Sequence, residues 1–210
     1  MQLLKALGVV LALTLSGCAS FTQDEVAPVT LPSMSGYTSK PNVYVDFNFY
    51  QGDPAGSATE LPQVRDALKP ELKRTLSNSE LFGRIGFDAF EKQPGDTRLR
   101  LKVYNHAPSG GQVALGALSG LTLGVIPAMA TDQYTMTLET LDDHDQPVSK
   151  ASNHDAIHTW MGIWFLPAMG HTVQAAFNDT FDRQVNALLK DWAARNQARY
   201  AGTDIRANNP

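Results

Sequence analysis

Apolar and polar side chains alternate through residues 42–50, NVYVDFNFY. Val43, Val45, Phe47 and Phe49 fall on one face of an extended chain, and the residues between them fall on the other. This period of two is typical of a strand that covers a core with one face. The segment predicts a half-buried strand, around which the neighbouring segments can be placed.

A helix is predicted next in the chain, after a loop at residues 51–59 that is rich in Gly, Pro and Ser. Pro62 suits its first turn, whereas Pro70 falls inside it and predicts a kink or a division of the helix. The residues that recur at helical spacing are Leu61, Val64, Leu68, Leu72 and Leu76.

Four further strands and a second helix are predicted after it. Residues 84–90 and 98–105 flank a Gln-Pro-Gly-Asp turn and predict a hairpin, and residues 133–141 and 148–158 predict another around the polar turn at 142–147. The last helix is predicted at residues 172–196. Its apolar stripe consists of Val173, Phe177, Phe181, Val185, Leu188 and Trp192.

This order of elements predicts the α+β class. We expect an antiparallel or mixed sheet of about five strands with two helices packed on one face, since both apolar stripes can then be buried in one core. The predicted single domain covers residues 42–200, and residues 201–210 predict a loose polar tail.

The first 17 residues predict an export signal. Lys5 precedes an apolar run at residues 6–15, and small residues follow it. The run is too short for the roughly 20 residues of a membrane-spanning helix.

The sequence Leu15-Ser16-Gly17-Cys18 at the end of this run resembles the lipobox of bacterial lipoproteins. The resemblance implies cleavage before Cys18 by signal peptidase II and acylation of Cys18, including a palmitate-type chain. Ala19 after the Cys, rather than Asp, implies passage to the outer membrane, facing the periplasm. We expect residues 18–41, which hold several Pro, Ser and Thr, to form a flexible tether with a reach of roughly 25 Å.

A second resemblance covers residues 42–105. The order of elements and the turn phrase at residues 76–82, LSNSELF, resemble the small α+β domains of periplasmic lipoproteins such as the TolB amino-terminal domain and the curli-secretion lipoprotein. It implies an accessory role in envelope assembly or transport.

Composition excludes several classes of protein. The 210 residues contain 17 Lys and Arg against 21 Asp and Glu, and one Cys. The acidic balance argues against a nucleic-acid partner, and a single Cys excludes an internal disulfide. Loss of Lys5 with the signal changes the net charge from −4 to −5, so the acyl chains must supply the anchoring to anionic membranes.

Two segments, residues 107–131 and 156–178, contain no Asp, Glu, Lys or Arg. Charged residues make up 18% of the chain, so these 48 positions would otherwise hold about nine. Each segment contains an apolar pair followed by Pro-Ala-Met, at residues 125–129 and 165–169. If the second predicted hairpin forms, the two Pro-Ala-Met segments lie at the same end of it and meet.

Two interpretations of the charge-free segments remain open. They form core, or they project as apolar loops that contact the bilayer or a hydrophobic partner protein. Trp favours membrane interfaces and Met suits adaptable surfaces. The predicted contact residues are Leu121, Val125, Ile126, Met129, Trp160, Met161, Trp164, Phe165 and Met169.

The sequence indicates no reaction chemistry. His154 and His158 would share a strand face and His144 lies among Asp residues, but the chain has no His-Glu-x-x-His pattern, nucleophile elbow or phosphate loop. We therefore expect no catalytic residue, no metal and no cofactor.

The leading hypothesis is a lipid-anchored, non-enzymatic accessory or adaptor of the bacterial envelope with a protein partner there. Two alternatives remain: an oligomeric secretion or transport component with membrane-inserting segments, and an envelope hydrolase of unknown substrate.

Overall fold

A computed structural model describes residues 17–33, 40–106, 108–168 and 170–207, with side-chain surroundings up to residue 196. The chain groups into two compact units. Among the described residues, unit 1 contains 17–25, 106–133 and 155–180, and unit 2 contains 26–105, 134–154 and 181–207. The boundaries between the units fall inside two strands and one helix.

Seven strands and three α-helices make up the described residues. The strands are β1 (Cys18–Thr22), β2 (Val43–Gly52), β3 (Ala58–Glu60), β4 (Ile85–Gly86), β5 (Thr97–Asn105), β6 (Ala128–Leu141) and β7 (Pro147–Met161). The helices are α1 (Pro62–Asn78), α2 (Gly110–Leu121) and α3 (Val173–Ala207), and two 3₁₀ turns cover Ala89–Glu91 and Ile163–Ala168.

The strands form one mixed sheet in the order β1-β7-β6-β5-β2-β3, with β4 also paired to β2. β2 is parallel to β4 and β5, whereas β3 is antiparallel to β2 and β6 is antiparallel to β5. The α+β class and the mixed sheet are therefore confirmed. Among the described residues the sheet has seven strands rather than about five, and three α-helices are present rather than two.

The core of unit 2 follows the alternation at residues 43–49. The four apolar side chains of that stretch are 0–4% exposed, and their neighbours in β5 are 0–2% exposed. α1 contributes Leu72 and Leu76, and it continues through Pro70 without the predicted division. α3 contributes Phe181, Val185, Leu188 and Trp192, each no more than 4% exposed.

The predicted hairpin of residues 84–90 with 98–105 is wrong. β4 is only two residues long, and both β4 and β5 pair in parallel with β2. α1 lies in the connection between these strands, and a parallel pair requires such a crossover because a tight turn cannot join parallel strands. The second predicted hairpin is present as β6 and β7, joined by a turn in which Asp142 N donates to Gln146 O at 2.9 Å.

The ends of the chain also differ from the predictions. Residues 18–22, expected to begin the tether, form β1, which pairs antiparallel with β7. α3 continues to Ala207, into the segment predicted to be loose. The signal segment 1–16 and residues 208–210 lie outside the described residues.

Unit 1 consists of β1, α2, the first part of β6, the last part of β7, the second 3₁₀ turn and the start of α3. Ser20 N donates to His171 O and Gln23 N to Ala156 O, both at 2.8 Å, so β1 is fixed on both sides. Both charge-free segments belong to this unit. None of the helices in the described part of the chain is long and apolar enough to cross a membrane.

Candidate functional site

The first charge-free segment forms an exposed apolar helix. α2 begins after Ser109, whose hydroxyl accepts a hydrogen bond from Gln112 N at 3.4 Å and caps the helix. Ser119 is its one buried residue. Its large apolar side chains are exposed: Val113 by 61%, Leu115 by 49%, Leu118 by 42% and Leu121 by 84%.

The turn after α2 continues this exposure. Leu123, Val125 and Ile126 are 58%, 56% and 41% exposed, and Trp164 of the second segment is 65% exposed. We call these eight exposed side chains the apolar face: Val113, Leu115, Leu118, Leu121, Leu123, Val125, Ile126 and Trp164. It lies wholly within unit 1 and contains no charged side chain.

Two glycines hold the charge-free segments together. Ile163 N donates to Gly124 O at 3.1 Å, and the indole Nε1 of Trp164 donates to Val125 O at 3.0 Å. Gly124 and Gly162 have φ angles of +78° and +147°, and a Cβ on Gly162 would lie 2.9 Å from Gly124 O. These contacts join residues 124–125 to residues 162–164, next to the two Pro-Ala-Met segments that were predicted to meet.

Cys18 lies in the same unit. Its side chain is exposed and its thiol is free, and the β1–β7 register places Cys18 opposite Met161. Met161 directly precedes Gly162, the residue that contacts Gly124. The predicted acylation position is therefore next to the junction of the two apolar segments.

The predicted contact residues divide into two groups. Leu121, Val125, Ile126 and Trp164 are exposed, so the interpretation of both segments as core is wrong for this part. Met129, Trp160, Met161 and Phe165 are half-buried, and Met169 lies outside the described residues. The rings of Trp160 and Phe165 pack 5.4 Å apart, which explains their partial burial.

Sequence reasoning missed four members of the apolar face: Val113, Leu115, Leu118 and Leu123. The Gly residues at 110, 111, 116 and 120 favoured a loop over a helix here. The available signal was the lack of any charged position within residues 108–131, because a helix that lies on its own protein normally has a polar outer side.

One carboxylate borders the apolar segment. Asp132 is the first charged residue after residue 131, and burial raises the pKa of its carboxyl group. Asp132 is half-buried, which fits its position beside an apolar region.

The polar side of the sheet in unit 2 has paired charges. Arg100 binds Asp46 at 2.8 Å, and Lys102 lies 3.4 Å from Glu139. The rings of Tyr50 and Tyr104 stack at 5.0 Å, and burial raises the pKa of both phenols. These contacts stabilise the sheet surface.

The His residues considered for metal binding make local contacts instead. His158 Nδ1 lies 2.9 Å from Thr131 Oγ1, and His154 Nδ1 lies 3.3 Å from Thr135 Oγ1. Within the described ranges, no three His, Cys, Asp or Glu residues lie close enough together to hold a metal ion.

A cleft of about 390 Å³ in unit 2 bears on the hydrolase alternative. Its charged side chains include Arg74 and Asp182, which form an ion pair with each other, and Arg74 also binds Glu71. These charged groups are therefore engaged in structural contacts.

The fold is similar to that of a candidate neuraminyllactose-binding hemagglutinin homolog from Helicobacter pylori. The TM-score is 0.51 at 10% sequence identity, over 85% of this chain and 96% of that chain. A PelC variant from Paraburkholderia phytofirmans, solved as a dodecamer, aligns with a TM-score of 0.31 and 12% identity over 80% of this chain and 97% of that one. At 10% sequence identity, the similarity to the first protein shows the fold alone. No family model and no curated protein matches the chain.

Proposed function

We propose that the protein is a lipid-anchored accessory protein of the bacterial envelope, without catalytic activity, that is held at the outer membrane and faces the periplasm. Cys18 is the acylated residue in this proposal, and residues 1–17 are removed. The acyl chains attach the protein to the membrane, and an envelope protein is the partner that it assists.

The observation that carries the proposal is the position of Cys18. Its side chain is exposed at the first residue of β1, so the sulfur is accessible for acylation while Ala19, the next residue, is fully buried. An unpaired thiol would be oxidised in the periplasm, and acylation removes it. The lipid would be attached to unit 1, which also carries the apolar face.

Substitution of Cys18→Ser tests the anchor. We expect the wild-type N-terminal peptide to begin at residue 18 and to carry acyl chains, as read by mass spectrometry of the membrane fraction. The variant should lose the acyl mass and remain unprocessed. Gln23→Ala is the matched control, because Gln23 is exposed in the same segment and its change should leave acylation intact. A C18S protein that is processed and recovered from membranes like the wild type contradicts the proposal.

The membrane of destination is tested by density-gradient separation of inner and outer membranes. The wild-type protein should follow outer-membrane markers. Replacement of Ala19 by Asp is not a clean sorting test, because Ala19 is 0% exposed and a buried carboxylate would disturb β1.

A further inference from the structure

α2 has no charged side chain, and yet its large apolar side chains lie open to solvent. A helix of this composition is normally found in a protein core or in lipid. Isolated helices of about 12 residues are marginal in water, so packing must supply most of the stability of α2. Among its own residues only Ser119 is buried. The remainder of the helix therefore requires a covering medium or partner.

The length of α2 limits what that medium can be. Twelve residues span about 18 Å, well short of the roughly 30 Å of hydrocarbon in a bilayer. A transmembrane arrangement is therefore excluded for this helix. A position at the boundary between headgroups and acyl chains fits this length, because a short apolar helix there need not span anything.

Charge favours lipid over a protein partner. Residues 108–131 and 156–168 contribute no charged side chain with which a protein partner could form ion pairs, and specific protein interfaces usually have a polar rim. Trp164 suits a membrane boundary, since its ring is exposed while its indole N–H is already bound to Val125 O. Lipid hydrocarbon has no polar or charged groups that would need partners on such a face.

Cys18 connects the face to a bilayer. Its partner in the sheet, Met161, adjoins the Gly124–Gly162 contact from which the exposed turn and Trp164 extend. Acyl chains on Cys18 would enter the membrane next to this junction.

We propose that the apolar face inserts into the leaflet that holds the acyl chains of Cys18, with α2 lying at the boundary between headgroups and acyl chains. This inference rests on the proposed anchor and names the lipid bilayer as the ligand of the face. The unit then binds the membrane at two adjacent places, one covalent and one by burial of side chains.

The test uses the full-length, acylated protein in vesicles of phosphatidylethanolamine and phosphatidylglycerol. Leu121→Cys introduces one reactive thiol for a polarity-sensitive fluorophore, because acylation occupies the sulfur of Cys18. Leu121 is 84% exposed, so the change should not disturb folding. We expect blue-shifted emission that is quenched by lipids brominated in their acyl chains. Phe90→Cys, at a residue of unit 2 that is 85% exposed, is the control and should show emission typical of water.

A charged substitution provides an independent measurement. Val125→Lys should lower the ratio of inserted to free label at Leu121 by about tenfold, which corresponds to the loss of one buried aliphatic side chain. Val148→Lys is the matched control, since Val148 is 63% exposed in unit 2 and should leave the insertion unchanged.

The possible outcomes distinguish insertion of the apolar face from acylation of Cys18. An acylated, vesicle-bound protein whose Leu121 label stays in water overturns the inserted face and leaves the anchor standing. A blue-shifted label that brominated lipids do not quench, and whose emission depends on the ratio of protein to lipid, assigns the face to a second copy of the chain and also overturns the inference. An unacylated protein, detected by mass spectrometry of the same sample, overturns the proposed function.

Discussion

Gly124 and Gly162 join the two charge-free segments through backbone contacts that leave no space for a side chain. At both residues φ is positive, a region that L-amino acids with a Cβ rarely adopt. The junction beneath the exposed turn therefore depends on glycine at two positions that are far apart in the sequence.

Gly162→Ala is expected to destabilise the protein by about 1–3 kcal/mol, since it adds backbone strain and places a methyl group against Gly124 O. Thermal unfolding followed by circular dichroism measures the change. Gly116→Ala is the control. Gly116 lies in exposed α2, and apart from the helix's own backbone no atom lies within 4 Å of the position that an alanine methyl group would take, so alanine there should stabilise the helix by up to about 1 kcal/mol. Equal effects of the two substitutions would contradict the assigned role of Gly162.

Asp132 gives a pH-dependent prediction. Burial raises the pKa of its carboxyl group in the folded protein, so the folded state holds this proton to higher pH than the unfolded chain does. The resulting contribution to stability is present below the unfolded pKa of 3.8 and is lost as the pH rises through the folded pKa. Asp132→Asn should therefore raise the melting temperature at neutral pH and have little effect below the unfolded pKa.

Asp142→Asn should act in the opposite direction. Hydrogen bonds from the backbone N–H groups of Gln146 and His144 lower the pKa of Asp142, so its carboxylate stabilises the folded state above the unfolded pKa. Loss of that charge should lower the melting temperature at neutral pH. Melting temperatures of both variants across acidic and neutral pH compare the two signs directly, and a shared sign would contradict the assignment.

At the scale of elements, the parts of the fold with a regular apolar period were predictable. β2 buries all four apolar residues that its spacing indicated, because one face of the strand must leave water. The helices bury only part of their predicted stripes: Leu72 and Leu76 of α1 are buried, and Phe181, Val185, Leu188 and Trp192 of α3 are buried. Val173, at the start of the α3 stripe, is 50% exposed. The parallel pairing of β2 with β5 was not predictable in this way. It depends on a crossover through α1, and the alternation of residues in β5 is the same for a parallel and an antiparallel neighbour. β1 was missed because its strand is five residues long and lies within a segment whose composition favours a tether.

α3 should be the most sensitive helix to loss of packing. Phe181 is 0% exposed, and Phe181→Ala should destabilise unit 2 by about 3–5 kcal/mol because it removes buried surface and leaves a cavity. Phe90→Ala removes the same atoms at a site that is 85% exposed and should change stability by less than about 0.5 kcal/mol. Urea unfolding of the two variants measures the difference, and a Phe181 effect as small as that of Phe90 would contradict the described core.

The sequence located the two segments of the candidate site, but it did not show which of their side chains face solvent. The missing charges located both segments, and the hairpin of β6 and β7 explained why they meet. Which side chains face solvent depends on the helical form of α2, and this form is obscured in the sequence by four glycines. The adjacency of Cys18 could not be predicted, since it follows from the pairing of β1 with β7.

At the scale of the whole molecule, residues 18–210 have a formal charge of −5, and the apolar face contributes none of it. Insertion of this face should therefore be insensitive to salt and to the fraction of anionic lipid, unlike the binding of a polybasic surface. Quenching of the label at Leu121 by brominated lipids, measured at increasing NaCl concentration and in vesicles with and without phosphatidylglycerol, checks this. A marked loss of quenching at high salt would show that charges outside the face hold the protein to the membrane.

β1 begins at Cys18 itself, so the proposed point of acylation is part of the sheet and has no length of free chain between it and the folded unit. With acyl chains on Cys18, unit 1 would stay at the membrane surface and could not swing out into the periplasm to capture a partner. Encounters would then depend on lateral diffusion in the plane of the membrane, and a partner would have to be membrane-bound itself or extend down to that surface.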